Sequence, residues 1–330
     1  MDVNPLSKIK VTPLASESFG VRSMCTLVET PDVTLLLDAG ISLCPWRFNL
    51  PPHPTEFQTI ARLRQSIAEA ADKAAVTTIS HYHFDHHTPS FEDWVVNWTD
   101  GAETARQIYQ GKVVLAKNAK ENINASQRQR AWMFQETGGK HAKSVESADG
   151  KSFQFGHTRL SFSEAVAHGV ENAMLGWVIM TSVECGGERF MHAPDVQGPM
   201  SKRTMALILA AKPDVIMLGG PPFYLAGFRV DEGQLEQGLR NLERIVEATP
   251  VVVLEHHALR DEFWRQKVES AYEKAEAAGH RIVTAAEFAG KENLFLEAKR
   301  KQLYRDQPPS SEFEAWTKSL NNKKIEKPPL

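Results

Sequence analysis

Residues 80–87 read Ser80-His81-Tyr82-His83-Phe84-Asp85-His86-His87, with four histidines and an aspartate inside seven positions. Directly before them, Ala74-Ala75-Val76-Thr77-Thr78-Ile79 has the β-branched content of a buried strand. The cluster therefore starts where a strand ends, and a strand end is where a rigid sheet can hold several side chains at fixed positions. Imidazole nitrogen and carboxylate oxygen together suit zinc and related divalent ions. His81 and His83, two apart, can lean toward one ion, while Asp85 and His86 turn back toward a second. A chance cluster on a solvated loop is the plainer alternative, and the apolar strand immediately behind it argues against that reading.

The rest of the chain is read outward from this loop. Short strands are expected at 8–12, 23–29 and 33–37, the last ending in Asp38-Ala39-Gly40. Asp38 is either a turn residue before glycine or a carboxylate that orients a ligand histidine. The loop 41–55 carries Pro45, Trp46, Phe48, Pro51, Pro52, His53 and Pro54. It is either a wall of a substrate site or the cover of a sheet edge. Phe57, Ile60, Leu63 and Ile67 give residues 56–73 one apolar helical face.

Residues 90–150 are long for a connection and are expected to have structure of their own. Between 106 and 143, Arg106, Lys117, Lys120, Arg128, Arg130, Lys140 and Lys143 are interleaved with Trp132 and Phe134. That pattern is either a surface for phosphates and bases or a solvated helix face.

Further strands are expected at 152–155, 158–166, 175–183, 188–192, 214–218, 251–254 and 281–284, with helices at 202–211, 231–249 and 261–278. Three of the strands run into Ala167-His168-Gly169, Ala193-Pro194-Asp195 and Glu255-His256-His257. Gly219-Gly220-Pro221-Pro222 after another strand is either a pocket wall or a plain turn. His157 and His192 read as structural. The charged, proline-marked chain from 303 onward is expected to fray.

The 330 residues carry 42% hydrophobic side chains, enough for a large core, and a formal net charge of −3, which offers no bulk argument for nucleic acid or anionic membrane. The three cysteines, Cys25, Cys44 and Cys185, have no pairing pattern and suggest a reducing compartment. With no long apolar run, a soluble cytoplasmic protein with no membrane partner is expected.

His81-x-His83-x-Asp85-His86, followed in order by His168, Asp195 and His256/His257 and preceded by Asp38, resembles the metal motif of the metallo-β-lactamase superfamily. The detail is similar to an uncharacterised archaeal-type branch of it. The resemblance covers most of the chain, and it implies an α/β fold, the four-layer αββα metallo-β-lactamase sandwich. It implies one such domain over 1–305 with an insertion around 91–150, then a charged tail over 306–330.

It also implies two divalent ions, zinc expected and manganese or iron the alternatives. His81, His83 and His168 would hold the first, and Asp85, His86 and one of His256 or His257 the second, with Asp195 bridging. Adjacent strand residues point to opposite faces, so His256 is preferred over His257. Asp38 would support the ligands, and His87 would either orient substrate or pack.

Two such ions bring a bridging water to a pKa of about 7, and Asp85 and Asp195 shape that site. The implied activity is hydrolysis, with a phosphodiester slightly favoured over a small ester, lactone or amide. A non-catalytic metal- or nucleic-acid-binding scaffold is the remaining reading. Metal-dependent redox chemistry is disfavoured, because His83 stands where the superfamily's diiron oxidoreductases carry glutamate.

Overall fold

The computed structural model describes residues 4–171, 175–318 and 326–330. Alternation along the strands sets the layers. In the strand Val215–Gly219, Val215 and Met217 enter one apolar cluster, whereas Ile216 and Leu218 enter another. The strand Val251–Glu255 repeats the pattern, with Val251 and Val253 on one side and Val252 and Leu254 on the other. The first cluster joins this sheet to a second sheet; the other seats it on the helices Lys202–Ala211, Glu232–Ala248 and Glu269–Ala277.

The six-stranded sheet runs Lys10–Ser16, Met24–Glu29, Thr34–Leu37, Val76–Ile79, Val113–Ala116 and Ser144–Ser147. Its first three strands form an antiparallel meander, and the pairings from Thr34–Leu37 onward are parallel. The seven-stranded sheet runs Arg281–Val283, Val251–Glu255, Val215–Gly219, Glu188–Ala193, Thr181–Cys185, Thr158–Phe162 and Ser152–Phe155. Its first four strands are parallel and the rest antiparallel. The helix Pro54–Ala71 buries Phe57, Ile60, Leu63 and Ile67 in the core shared with the first sheet. Together these elements form the αββα sandwich of the metallo-β-lactamase fold.

Several expected elements change form. The segment 91–150 supplies two strands of the first sheet as well as the helices Ala102–Tyr109 and Ala125–Glu136. The strand expected over 158–166 is broken: Thr158–Phe162 stays in the large sheet, while Val166–Ala167 pairs with Trp177–Val178 in a separate ribbon. The ribbon carries His168 away from the sheet and toward the site. The helix expected over 261–278 divides at Val268 into Trp264–Lys267 and Glu269–Ala277.

The C-terminal chain does not fray over 300–318. It forms the helices Arg300–Asp306 and Ser311–Lys318, because Phe313 and Trp316 pack their rings on Phe57 at centroid distances of 6.0 and 5.7 Å. The fully buried Arg300 forks onto Glu56 at 2.8 Å and further ties this segment to the helix Pro54–Ala71. Among the described residues no helix is long and apolar enough to cross a membrane.

Candidate metal centre

Parallel strands of both sheets end along one edge, and each end delivers a polar side chain. Thr34–Leu37 is followed by Asp38, Val76–Ile79 by Ser80 and His81, Glu188–Ala193 by Asp195 after one proline, and Val251–Glu255 by His256. The crevice outside the carboxyl ends of strands is the general ligand position in α/β sheets. Asp38, Asp195 and His256 all adopt left-handed backbone, with φ of 48°, 51° and 62°. Outside glycine that conformation is uncommon, and three cases at one edge mark a site where geometry is imposed. Glycine lets the chain close around it. A Cβ on Gly40 would lie 2.3 Å from the amide nitrogens of His86 and His87, and one on Gly219 would lie 2.8 Å from that of Asp195.

The side chains converge. Ligand atoms of His81, His83, His168 and Asp195 fall within 4.8 Å of one another, as do those of Asp85, His86 and His256, and those of Asp195, His256 and His257. Asp195 is central: its Oδ2 lies 3.0 Å from His81 Nε2, 2.8 Å from His168 Nε2 and 3.3 Å from His86 Nε2. Its Oδ1 lies 2.7 Å from His256 Nε2 and 3.1 Å from His257 Nε2.

Both rings of the 256/257 pair therefore face the site, contrary to the alternation expected of a strand. The strand stops at Glu255, and His256 and His257 lie on the 3-10 turn His256–Arg260, where consecutive side chains are not opposed. His87 is elsewhere. Its Nδ1 donates to the His83 carbonyl at 2.9 Å, and its ring packs near Tyr82, Phe84 and Phe134. His192 is buried, with Nε2 donating to the Met24 carbonyl at 2.9 Å, and the backbone amide of the exposed His157 donates to the Asp32 carboxylate.

The donor set fits divalent metal. His86 Nδ1 lies 2.8 Å from Asp38 Oδ2, and His256 Nδ1 lies 2.9 Å from Glu17 Oε2. A carboxylate partner requires the hydrogen on Nδ1, which leaves each Nε2 as the atom that takes a metal ion or a proton. These two atoms face each other at 3.3 Å. Lone pairs at that separation repel unless a cation, metal or proton, lies between them. Asp195 Oδ1 is buried with His256 Nε2 at 2.7 Å and His257 Nε2 at 3.1 Å, a carboxylate oxygen among nitrogens that can share a metal ion with it.

Electrostatics divide the rings. Burial opposes charge on His256, but Glu17 and Asp195 outweigh it and raise its pKa to about 9. Burial likewise opposes charge on His86, and Asp195, Asp38 and Asp85 raise it well above the usual range. His81 is held well below that range by burial and by His86 and His83, and His257 by burial and Arg260. Burial also lowers His83. Burial would raise the Asp195 carboxyl, but the surrounding imidazoles hold it well below the carboxylate range.

Five residues to which the sequence reading gave no role complete the surroundings: Glu17, Arg22, Gln197, Tyr224 and Arg260. Glu17, on the turn Glu17–Phe19, also binds the buried Arg260 through Oε1, at 2.8 Å to Nε and 2.7 Å to Nη2. Tyr224 Oη lies 2.9 Å from His257 Nδ1. Gln197 Nε2 lies 3.4 Å from His168 Nδ1. Arg22 forks onto Glu297 at 2.7 Å.

The cluster opens into a cleft of about 400 Å³. Arg22, Arg130, Arg229 and Arg260 line it, together with Leu43, Pro45, Val96, Leu175 and Leu225. Arg22 and Arg260 are tied to carboxylates. Arg130 lies over the Phe84 ring at 4.7 Å and Arg229 over Phe228 at 5.4 Å, and neither pairs with a carboxylate among the described residues. Of the seven basic residues between 106 and 143 named above, only Arg130 lines the cleft. Arg106 pairs with Glu103, Lys117 with Asp149 and Lys140 with Glu136.

Fold and site together define a metallo-β-lactamase-fold protein whose histidine and aspartate cluster can hold metal. Unliganded yeast PDE1 superposes with a TM-score of 0.51 at 11% identity, over 84% of this chain and 98% of that one. The metallo-β-lactamase fold protein YhfI from Bacillus subtilis gives 0.47 at 14% identity, over 84% and 96%. No family model matches.

The UPF0282 protein MK0213 of Methanopyrus kandleri is 43% identical over 295 residues, spanning 89% of this chain and 99% of that protein. The UPF0282 protein MJ1629 of Methanocaldococcus jannaschii is 41% identical over 296 residues, spanning 89% and 96%. The chain belongs to the UPF0282 family.

Proposed function

We propose that the protein is a dinuclear metal-dependent hydrolase acting on phosphodiesters. The observation that carries the metal reading is the convergence of the His86 and His256 Nε2 atoms, 3.3 Å apart, on the Asp195 carboxylate, with a carboxylate on the Nδ1 of each ring. When bound, two divalent ions, zinc foremost with manganese or iron as alternatives, supply Lewis acidity and a nucleophile at neutral pH.

His81, His83 and His168 would hold one ion and Asp85, His86 and His256 the other, with Asp195 available to both and His257 presenting Nε2 beside it. Asp38 and Glu17 hold the Nδ1 hydrogens of His86 and His256, which fixes tautomer and ring orientation. Arg130 and Arg229, whose guanidinium groups form no ion pair among the described residues, are placed to bind the anionic oxygens of the substrate.

The test is hydrolysis of bis(p-nitrophenyl) phosphate by metal-loaded and chelator-treated protein. Arg130→Ala and Arg229→Ala should each lower kcat/KM on it about tenfold or more, the worth of a hydrogen bond to a charged group. The apolar part of the cleft wall, Leu43, Pro45, Val96, Leu175 and Leu225, supports a second reading as a hydrolase of small neutral esters or lactones. Under that reading a neutral ester such as p-nitrophenyl acetate is the better substrate and both arginine variants keep wild-type rates.

A further inference from the structure

Tyr224 follows Gly219-Gly220-Pro221-Pro222 on the short turn Phe223–Leu225 and stands in the cleft wall beside the metal cluster. Its ring is stacked on His257 at an interplanar angle of 10° with centroids 6.0 Å apart, and the Arg47 guanidinium lies over it at 4.9 Å. The hydroxyl is therefore held in place by its ring as well as by its own hydrogen bonds.

Where its hydrogen points follows from what its oxygen receives. His257 Nε2 faces the metal cluster, 3.1 Å from Asp195 Oδ1. The Gln197 side-chain amide nitrogen is 3.5 Å from the same Nε2. With a metal ion on Nε2, that atom gives its lone pair and the ring hydrogen must sit on Nδ1. In that state Nδ1 donates to Tyr224 Oη at 2.9 Å, and Arg260 Nη1, 3.3 Å from Nδ1, finds its acceptor in the same Oη instead. Arg260 has only donors, and its Nη1 lies 3.2 Å from the same Oη. A phenol oxygen receiving two hydrogen bonds has spent its acceptor capacity, so its own hydrogen must leave in a third direction. Among the described residues no acceptor for it is found, and the open side is the cleft.

We infer that the Tyr224 hydroxyl donates a hydrogen bond to an anionic oxygen of the substrate beside the metal cluster, as a neutral phenol and without proton transfer. The inference rests on the metal-dependent reading above. Arg260 and His257 act as the clamp that aims the hydroxyl, and Glu17 anchors Arg260 from behind.

Tyr224→Phe removes the hydroxyl and keeps the stacked ring. The probe is inorganic phosphate, titrated calorimetrically into metal-loaded wild type and variant, with metal content and melting temperature measured on the same preparations. The expected result is unchanged metal content, an unchanged fold and phosphate affinity about tenfold weaker, the factor of one hydrogen bond to an anion. Unchanged phosphate affinity would overturn the inference, as would a metal-loaded wild type that binds no phosphate. Loss of metal from the variant would also overturn it, because Tyr224 would then serve only to orient His257. A wild type that takes up no metal would sink the metal reading itself, visibly before any variant is made, and the inference with it.

Discussion

The two halves of the ligand cluster are built differently. On the side of His86 and His256, each ring has a buried carboxylate on Nδ1, Asp38 and Glu17 respectively. On the other side, His81 Nδ1 meets the Ser80 hydroxyl at 3.0 Å and His168 Nδ1 meets Gln197 at 3.4 Å, both uncharged partners. The first arrangement raises ring basicity and the second leaves burial to lower it, which is the direction found for His86 and His256 against His81 and His83. Under the dinuclear proposal the two positions are unequal: a carboxylate-backed one with strong, proton-competitive ligands, and a softer one in which burial keeps His81 and His83 neutral.

The largest effect expected is at the residue both halves share. Asp195→Ala should lower affinity at both positions by more than about a hundredfold, exceeding the loss from any supporting partner. His168→Ala should weaken only the position built on His81 and His83. Metal titrations of the two variants side by side check this, and equal single-ion losses would erase the distinction between shared and unshared ligands.

Next come the supporting carboxylates. Asp38→Asn and Glu17→Gln should each weaken the carboxylate-backed position about 10- to 100-fold and leave the other unchanged, as judged by competition with a chelating dye. Glu17→Gln also leaves Arg260 buried with less compensation, so its melting temperature should fall further than that of Asp38→Asn.

The smallest effect is in the pH dependence. A metal ion must displace the proton on His256, so affinity at the carboxylate-backed position should climb with pH up to about 9, by about tenfold per unit for each proton displaced. The position built on His81 and His83 should depend less on pH above neutrality, because burial holds both of these rings below the usual range. The sign reverses for stability of the metal-free protein. A ring whose folded pKa exceeds its unfolded one stabilises fully below the unfolded value of about 6.5 and loses that contribution as pH rises through about 9. Melting of chelated protein across this window should show the decline, and Glu17→Gln should flatten it.

The sequence reveals these two halves unequally. The loop His81–His87 is legible because its ligands are contiguous and sit behind an apolar strand. His168, Asp195 and His256 are legible as single polar residues at strand ends, in an order that resembles the superfamily's. Their supporting partners are not.

Glu17 lies in an ordinary loop and meets His256 only because the turn Glu17–Phe19 packs on the turn His256–Arg260, 239 positions along the chain. An acidic residue between Ala15 and Phe19, buried in the fold, was the available signal. Tyr224 and Arg260 carry no local pattern at all.

The fold shows the same division. Sheet strands and the helix Pro54–Ala71 follow from periodicity. The break between Phe162 and Val166 does not, because its one marker is Ser163, whose hydroxyl donates to the Glu164 carbonyl and accepts from the distant Met180 amide. Tertiary contact likewise decides the helix Ser311–Lys318, whose charged sequence hides the two aromatics that dock it.

The most direct test of the central claim is metal analysis of protein purified without chelator, together with a titration of added zinc into the chelated form. Two ions per chain, bound with unequal affinity and lost together in Asp195→Ala, are predicted. Protein that carries no metal and takes up none when it is offered would contradict the account.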